Sequence, residues 1–548
     1  MSSTFFGFNI SLTGLMTSQR QLYVTSHNTA NVNTPGYTRQ RADVVQTSPQ
    51  YVAGVGVVGT GVTTETITQL RNEFLDYQYR GEYSKLGTAA GEADVLTNIE
   101  AIFNESSESG IRTVTDEFFS ALQELNKNAD SLTTRALVRQ KGIALTKNLQ
   151  SLSSSLTKLQ SDVNFQIQTN VDKINQIGEN IASLNDQIKA FEMDGKSVAN
   201  DLRDQRNLLL DELSGYVEID YFEDSEERLY VNINGQSLVS HNRSQKISAT
   251  ARSSKENYED AELMVDLAWE NGSTFNPTGG KVKGLLDMRD GEDGAAKGIP
   301  YYQQKLNEFT DTLTESLNAI QKTGYGLDKS TGNNMFTIDG MSTVEYEAYL
   351  KNKGLNGGPG VDVTAATLNG TSDDKTEEEN EAIIKANKAQ ILKDMGYENK
   401  SIKLMSDGTY LVTDRMSAAR VTLAKDVDDD LDKFAAAKSL EGLSGEGTNA
   451  LKMNKIRHDQ SLYEWGSPDD FMKSLISNLG VDSQSSQRNV SNQEVLANKV
   501  QYDRLAISSV SMDEEMSNMV KFQSSYNANA KMLTTMDEMI QTLIGLKR

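Results

Sequence analysis

Residues 145–191 read LTKNLQSLSSSLTKLQSDVNFQIQTNVDKINQIGENIASLNDQIKAF. Leu145, Leu149, Leu152, Leu156, Leu159, Val163, Ile167, Val171, Ile174, Ile177, Ile181, Leu184, Ile188 and Phe191 follow one another at steps of three or four. That spacing places them all on one stripe of an α-helix. From 145 to 163 the steps alternate as a strict heptad seam, and the steps of four at Val163, Ile167 and Val171 form a stutter. At ~1.5 Å per residue such a helix is about 70 Å long. A rod with one apolar stripe needs partner helices, from its own chain or a neighbour.

Working outward from the rod, the two ends of the chain are also helical and apolar. Residues 1–70 carry only Arg20, Arg39, Arg41, Asp43 and Glu65 as charged groups. Phe8, Leu12, Leu15 and Leu22 mark one helical face from about residue 8 to residue 30. Pro35 disfavours helix at Thr34, and Pro35-Gly36 suits the centre of a type II turn. Residues 37–68 read as extended, and a second helical pattern opens near Ile67 and runs, with breaks, to Phe191. At the other end, Met512, Met516, Met519, Tyr526, Ala530, Leu533, Ile540 and Ile544 form one seam. Met532, Met536, Met539, Leu543 and Leu546 form a second. One partner helix cannot cover two seams; a bundle or a polymer lattice can.

Between the helical parts the period changes. YVEIDYF and RLYVNINGQSLVS alternate every second residue, with turn chemistry at Asn234-Gly235. LMVDLAW and GGKVKGLLDMRD continue the β-prone pattern. Helix returns over 301–323 on Leu306, Phe309, Leu313, Leu317 and Ile320. Residues 337–447 differ from their flanks, with 21 acidic and 13 basic residues and hence a charge of −8. They hold the loop GLNGGPGVD, an acidic helical stretch at 377–395 and the hairpin-like IKLMSDGTYLVTD. The chain is therefore expected to be a multidomain α+β protein, with long α-helical coiled-coil terminal and bundle regions and β-rich outer domains. The expected divisions are an N-terminal helix and extended arm (1–66), a long helical bundle (67–215) and a β-rich domain (216–300). A returning helix (301–336), an inserted acidic α+β outer domain (337–447) and a C-terminal helical region pairing with the N-terminus (448–548) complete them.

The whole chain has 548 residues, enough for roughly three or four domains. Its formal charge of −23 argues against nucleic acid and against an anionic membrane surface as partners. No run of about 18 apolar residues occurs, so no bilayer-spanning helix is expected. Without cysteine there is no disulfide, thiolate catalysis or Cys-ligated metal. The N-terminal MSSTFFGFNISLTGLM lacks the pattern of a Sec-type signal.

Motifs of the kinds that carry chemistry have plainer readings here. GVGVVG (54–59) fits G-x-G-x-x-G, but a dinucleotide site needs a helix next, and TGVTTETI is β-prone. DVDDDLDK (426–433) has Leu431 in place of the glycine of a calcium loop, and reads as a solvated acidic face. His27, His241 and His458 are not spaced for a metal. No catalytic, cofactor-binding or metal residues are expected, and no cofactor.

TSHNTANVNTPGYTRQR (25–41) resembles the motif shared by the rod, hook and hook-associated axial proteins of the bacterial flagellum. SVSMDEEMSNMVKFQSSYNANAKMLTTMDEMIQTLIGL, at the other end, is similar to that family's C-terminal motif. RNEFLDYQYRGEYSKLG (71–87), IEAIFNESSESGIRTVTDEFFSALQEL (99–125) and GGKVKGLLDMRD (279–290) resemble the hook-associated members at the hook–filament junction. The likeness covers about 1–325 and 450–548, and LNKNADSL (125–132) departs from the family's usual Asn-Pro. The resemblance implies a structural subunit whose terminal helices pair in the inner core of a hollow tube. It implies an assembly interface of Phe8, Leu12, Leu15, Leu22, Asn31, Asn33, Pro35, Gly36, Tyr37, Met516, Met519, Tyr526, Leu533, Met536, Ile540 and Leu543. It further implies self-association into a ring in a helical tube, with the hook protein and hook-associated protein 3 as neighbours. A cytosolic export chaperone would bind the C-terminal region. Passage would be through the flagellar secretion apparatus, without a cleaved signal, to the outside of the cell. Alternatives are another axial protein such as the hook protein, an adhesin carried through the insert, and a cytosolic coiled-coil adaptor.

One expectation is testable on the isolated chain. Apolar ends without neighbours should be poorly ordered. Hydrogen exchange should be faster over 1–70 and 512–546 than over 145–191; equal protection throughout would refute this.

Overall fold

The computed structural model describes the chain apart from residues 1–4, 53–55, 104–109, 194–197, 225–227, 253–259, 293–295, 357, 364–391, 394, 398–399, 444 and 546–548. The expected acidic helix at 377–395 lies almost wholly outside the described residues. Helix α1 (Phe5–Ala30) leads to strands β1 (Gln40–Gln46), β2 (Gln50–Val52), β3 (Gly56–Val58) and β4 (Val62–Gln69). Helices α2 (Glu73–Phe103), α3 (Ile111–Lys127), α4 (Leu132–Glu192) and α5 (Asn200–Tyr216) follow. Next come β5 (Asp220–Glu223), β6 (Leu229–Ile233), β7 (Gln236–Ser240), β8 (Arg243–Ser244), β9 (Ile247–Ala251) and β10 (Val265–Trp269). Helices α6 (Lys281–Asp290) and α7 (Ile299–Thr323) precede β11 (Phe336–Ile338), α8 (Thr343–Lys353) and β12 (Val361–Val363). Strands β13 (Ser401–Leu404), β14 (Tyr410–Thr413) and β15 (Val421–Leu423) come next. The chain closes with α9 (Lys425–Asp429), α10 (Thr448–Lys455), α11 (Pro468–Ser508) and α12 (Met512–Gly545).

The seam of 145–191 lies within α4, whose 61 residues begin at Leu132. Every seam residue from Leu145 to Ile188 is buried except Leu159, which is partly so; Phe191 is exposed. Helices α3, α5, α6 and α7 cover the stripe together with β7, β8, β9 and β15, so its partners are mixed rather than one coiled-coil mate. Four amide side chains on α4 hold the β-rich layer by its backbone. Gln160 Oε1 accepts from Ala261 N (2.8 Å), and Asn164 Oδ1 from Val265 N (3.0 Å). Asn175 bonds both N and O of Ile247 at 2.8 Å, and Asn185 donates to His241 O. Each bond satisfies a backbone group that packing has withdrawn from water. Asn234 and Gly235 both take positive φ (47° and 79°) between β6 and β7, the type I′ turn that their sequence favours.

Two stretches differ from their expected structure. Ile67 lies in β4, and helix begins only at Glu73. KVKGLLDMRD is helix α6, not strand, with Val282, Leu285 and Met288 buried. Its reason is close packing. A Cβ on Gly280 (φ 86°) would stand 2.4 Å from Val217 N, and one on Gly284 2.3 Å from Thr88 O. Glycine lets α6 cross α2 almost backbone to backbone, which no local propensity announces.

The insert shares part of its packing with the body. Strand β11 pairs with β15, and β12, β14 and β13 form a separate three-stranded sheet. Met405, Leu411, Met416, Val421, Leu423 and Phe434 belong to the same core as α4 and α7. A small second cluster holds Leu355, Leu392, Ile402 and Val412. Polar residues of α7 clasp the returning chain: Asn307 Oδ1 accepts from Ala418 N, and Asn318 Oδ1 from Met335 N and Phe336 N. Asp311 accepts from Met416 N (2.7 Å) and Lys403 Nζ (2.5 Å), all of it buried. Burial alone would pull the Lys403 ammonium down, but Asp311, Tyr346 and Glu315 outweigh it and hold the group charged. Met405, Leu411 and the chain from Met416 to Phe434 thus pack into the body, while Ile402 and Val412 keep to the small cluster; charge content reports surface and says little about which apolar side chains share a core.

Asp311→Ala would leave the buried Lys403 charge with Glu315, at 3.7 Å, as its carboxylate partner. A loss of about 3–5 kcal/mol is expected by denaturant titration, partly recovered by adding Lys403→Met. A loss under about 1 kcal/mol would show that the insert docks by other means.

Candidate assembly interface

Helices α1 and α12 run antiparallel in one register. A Cβ on Gly7 would stand 2.6 Å from Met536 Cε, and one on Gly14 2.8 Å from Asn529 Oδ1. Ser18 Oγ donates to Ser525 Oγ (3.1 Å), and Asn28 Nδ2 to Glu515 Oε2 (3.3 Å). Each step forward on α1 is matched by an equal step back on α12. The small residues bring the backbones close, so Phe8, Leu12, Leu15 and Leu22 are half-buried, as are Met519, Phe522, Tyr526, Leu533, Met536 and Ile540. The other side of α1 rests on β1 and β4.

Neither seam expected on α12 is packed as a whole. The packed row steps by four and three from Glu515 through Met519, Phe522, Tyr526, Asn529, Leu533 and Met536 to Ile540. Met536 of the second seam joins Met519, Tyr526, Leu533 and Ile540 of the first. Met512, Met516, Met532, Met539 and Ile544 are exposed instead, with Val520 beside them. Reading the heptad from Met512 slipped its frame, because the buried position that sets the frame is a glutamate. The Leu543 side chain lies outside the described residues. Ile10, Met16 and Tyr23 are exposed on α1.

At the far end of this pair, four segments meet in a polar joint. Asn28, buried in the last turns of α1, accepts from Gln40 N and donates to Gln40 O, both at 2.9 Å. Tyr37 donates its hydroxyl to Asn28 Oδ1 (2.8 Å) and lies 3.0 Å from His27 Nδ1. Burial, then the carboxylates Asp201, Asp204 and Glu515, keep that phenol protonated. Asn31 ties back to His27 O and accepts from Thr34 Oγ1, which closes the helix end. Gly36 (φ 78°) turns the chain against Leu208 of α5, where a Cβ would meet Leu208 Cβ at 3.2 Å. Asn33, Pro35 and Gly36 are exposed; Asn31 and Tyr37 are half-buried.

Arg39 is the crossing point. Its Nε donates to Glu515 Oε1 (2.8 Å), its Nη1 to Glu514 Oε2 (2.5 Å) and its backbone N to Ser508 O (2.9 Å). It thereby spans the break between α11 and α12. Thr38 N donates to Asp204 Oδ2 (2.9 Å) and Gln40 Nε2 to Asp201 Oδ1 (2.8 Å), both on α5. Behind them Arg71 chelates Asp76, Arg504 bonds Asp211 (2.6 Å), and Arg80 bonds the other Asp211 oxygen (2.7 Å). Arg504 also lies over the Tyr79 ring at 4.2 Å. Asn28, Arg39, Asp204, Arg504, Glu515 and Phe522 are interface residues that sequence reasoning missed. Arg39 left a signal, as one of five charged groups in the first 70 residues.

The plainer readings of the remaining motifs can be placed as well. The glycines of 56–59 sit in or beside β3, paired antiparallel with β2 and followed by β4, not a helix. His241 occupies a left-handed position (φ 53°) in the β7–β8 turn, and His458 a short helical turn.

Three sequence families match this chain at the places just described. The family described as "Flagella basal body rod protein" matches 8–38, on α1 and the turn beyond it. "Flagellar basal body rod FlgEFG protein C-terminal" matches 503–546, on α12 and the joint. "Flagellar hook-associated protein FlgK helical domain" matches 96–336, the body built around α4. All three are families of flagellar axial proteins. Along nearly its whole length it resembles the flagellar hook-associated protein 1 of Bacillus subtilis (strain 168), 29% identical over 100% of this chain and 99% of that one. The protein of that name from Escherichia coli (strain K12) is 24% identical, over 98% and 99%. Among solved structures, the flagellar hook junction protein FlgK from Burkholderia pseudomallei shares the fold. Its TM-score is 0.57 at 13% identity, over 79% of this chain and 100% of that one.

Glu515→Ala should open the joint while sparing the body. It leaves Arg39 with one exposed carboxylate and Asn28 without its second acceptor, a loss of about 1–3 kcal/mol. Trypsin should then cut after Arg39 and Arg41 faster than in the parent chain. Unchanged cutting would mean that the joint does not hold this segment.

Proposed function

We propose that this chain is a structural, non-enzymatic subunit that joins the flagellar hook to the filament. It would be exported through the flagellum's own secretion apparatus and assemble outside the cell as a ring of copies within a helical tube. Its axial neighbours would be the hook protein on one side and hook-associated protein 3 on the other, with a cytosolic chaperone holding the C-terminal region before export. One observation carries the reading. The paired terminal helices, where the two short axial-family matches fall, leave large apolar side chains exposed: Ile10, Met16 and Tyr23 with Met516, Val520, Met532, Met539 and Ile544. Burying each such side chain against a neighbour contributes roughly 1.5–3 kcal/mol. A ring repeats that gain at every subunit contact. The hook protein is the second reading, and the helical-domain match over 96–336 favours the junction.

Two results are expected. A deletion strain should build hooks, carry no filaments and shed flagellin into the medium; normal filaments would sink the assignment. Val520→Asp and Met516→Asp alter exposed positions, so the isolated chain should keep its stability within about 0.5 kcal/mol. Both should be secreted but fail to attach, since assembly would bury an unpaired carboxylate. Leu533→Asp should instead disrupt the α1–α12 pair itself. Filament attachment unimpaired in all three would refute the proposed interface.

A further inference from the structure

The polar joint contains a carboxylate that is poorly served by its surroundings. Asp204 is 5% exposed, and its Oδ2 accepts from Thr38 N. Its Oδ1 is buried and accepts no hydrogen bond, with Arg71 Nη1 3.7 Å away. Arg71 cannot come closer, because its Nε and Nη2 are committed to Asp76. We propose that the joint is a proton-sensitive clamp, in which protonation of Asp204 tightens the hold of the body on the terminal helix pair.

The charges around Asp204 come from every segment that meets there. The turn after α1 supplies Arg39, with Tyr37 and His27 nearby; His27 Nε2 lies 3.6 Å from Asp201. Helix α2 and the residues before it supply Arg71, Asp76 and Arg80. Helix α5 supplies Asp201, Asp204 and Asp211, and the α11–α12 break supplies Arg504, Glu514 and Glu515. These named residues are four arginines against six carboxylates. Glu514 and Asp201 face water at 63% and 60% side-chain exposure, so solvent screens them. Asp76, Asp211 and Glu515 each have a close arginine. Asp204 has none, and it is the member whose proton relieves the excess.

The sign follows from burial. Burial raises the Asp204 carboxyl to about 6, against the Thr38 hydrogen bonds and Arg71, which pull it down. Once the joint opens to water, the group returns to its ordinary ~3.9. A raised value in the closed state means that the closed state binds the proton more tightly. Clamping is therefore strongest below about pH 4 and weakens as the pH rises through 6. Between pH 5.5 and 7.5 the closing equilibrium should change about fourfold. This goes beyond the junction reading, and it is read on the purified full chain, so filament attachment does not enter the test.

The reporters are the amide protons of Thr38, bonded to Asp204, and Arg39, bonded to Ser508 O. Their exchange protection, corrected for intrinsic rates, should be about fourfold higher at pH 5.5 than at pH 7.5, while amides in 145–191 stay level. Asp204→Asn should hold the protected state at both values, and His27→Gln should keep the wild-type dependence. Equal protection of the wild type at both values overturns the proposal even if Asp204→Asn fails to fold. So does Asp204→Asn retaining the full dependence, or His27→Gln abolishing it.

Discussion

The ion pair between Arg39 and Glu515 joins residues 476 positions apart, and the arrangement of both chain ends depends on it. Glu515 is almost wholly buried and takes one bond from Arg39 and another from Asn28. Its position fixes where α12 begins its descent along α1, and hence every contact down to Met536 beside Gly7. Arg39 also holds Ser508 O, the last turn of α11, so one side chain and its own amide grip both sides of the helix break. A buried ion pair carries a desolvation cost and adds little net stability. Here its effect is on geometry. Apolar rows on two helices could slide by a heptad; a carboxylate that must find one guanidinium and one amide cannot.

The body follows the same logic with neutral groups. The apolar stripe of α4 would accept many β surfaces, but Gln160, Asn164, Asn175 and Asn185 bond particular backbone groups of the β layer. Their spacings of four, eleven and ten keep them on one face of the helix. Burial drives the contact, and the amides select its register. On α7, Asn307, Asp311 and Asn318 do the same for the returning strands. The molecule thus repeats one division of labour along its length.

That division explains what could be read from the sequence. The 3–4 spacing of Leu145–Ile188 announced a long helix, and Asn234-Gly235 announced a hairpin turn, because both signals are local. The α6 helix was misread, because its conformation depends on Gly280 and Gly284 meeting Val217 and Thr88, residues distant in sequence. The α12 frame slipped for a related reason: its key buried position is Glu515, and acidic residues are read as surface by default. The joint was half legible. Its turn residues Asn31, Pro35, Gly36 and Tyr37 stood out as a motif, whereas Asn28, Arg39 and Asp204 have meaning only through partners brought in by α5 and α12. The contact of the insert with the body was not legible, because a charge of −8 describes its outside, while Met416, Val421 and Phe434 pack into the common core.

The placement of methionine on α12 answers a difficulty that any assembling subunit meets. An apolar row must await its neighbours in water without seizing the wrong ones. Leu533 and Ile540 face α1, while Met512, Met516, Met532 and Met539 face outward. Methionine also stands in the packed row, at Met519 and Met536, so it is not confined to one side of the helix. Unbranched and adaptable, it suits the exposed positions, where the fit to a partner must be found on contact. The chain's charge of −23 works in the same direction. Mutual repulsion opposes chance contacts between free copies. A glancing contact buries too little apolar surface to overcome it, whereas a contact that covers many of the exposed side chains at once can.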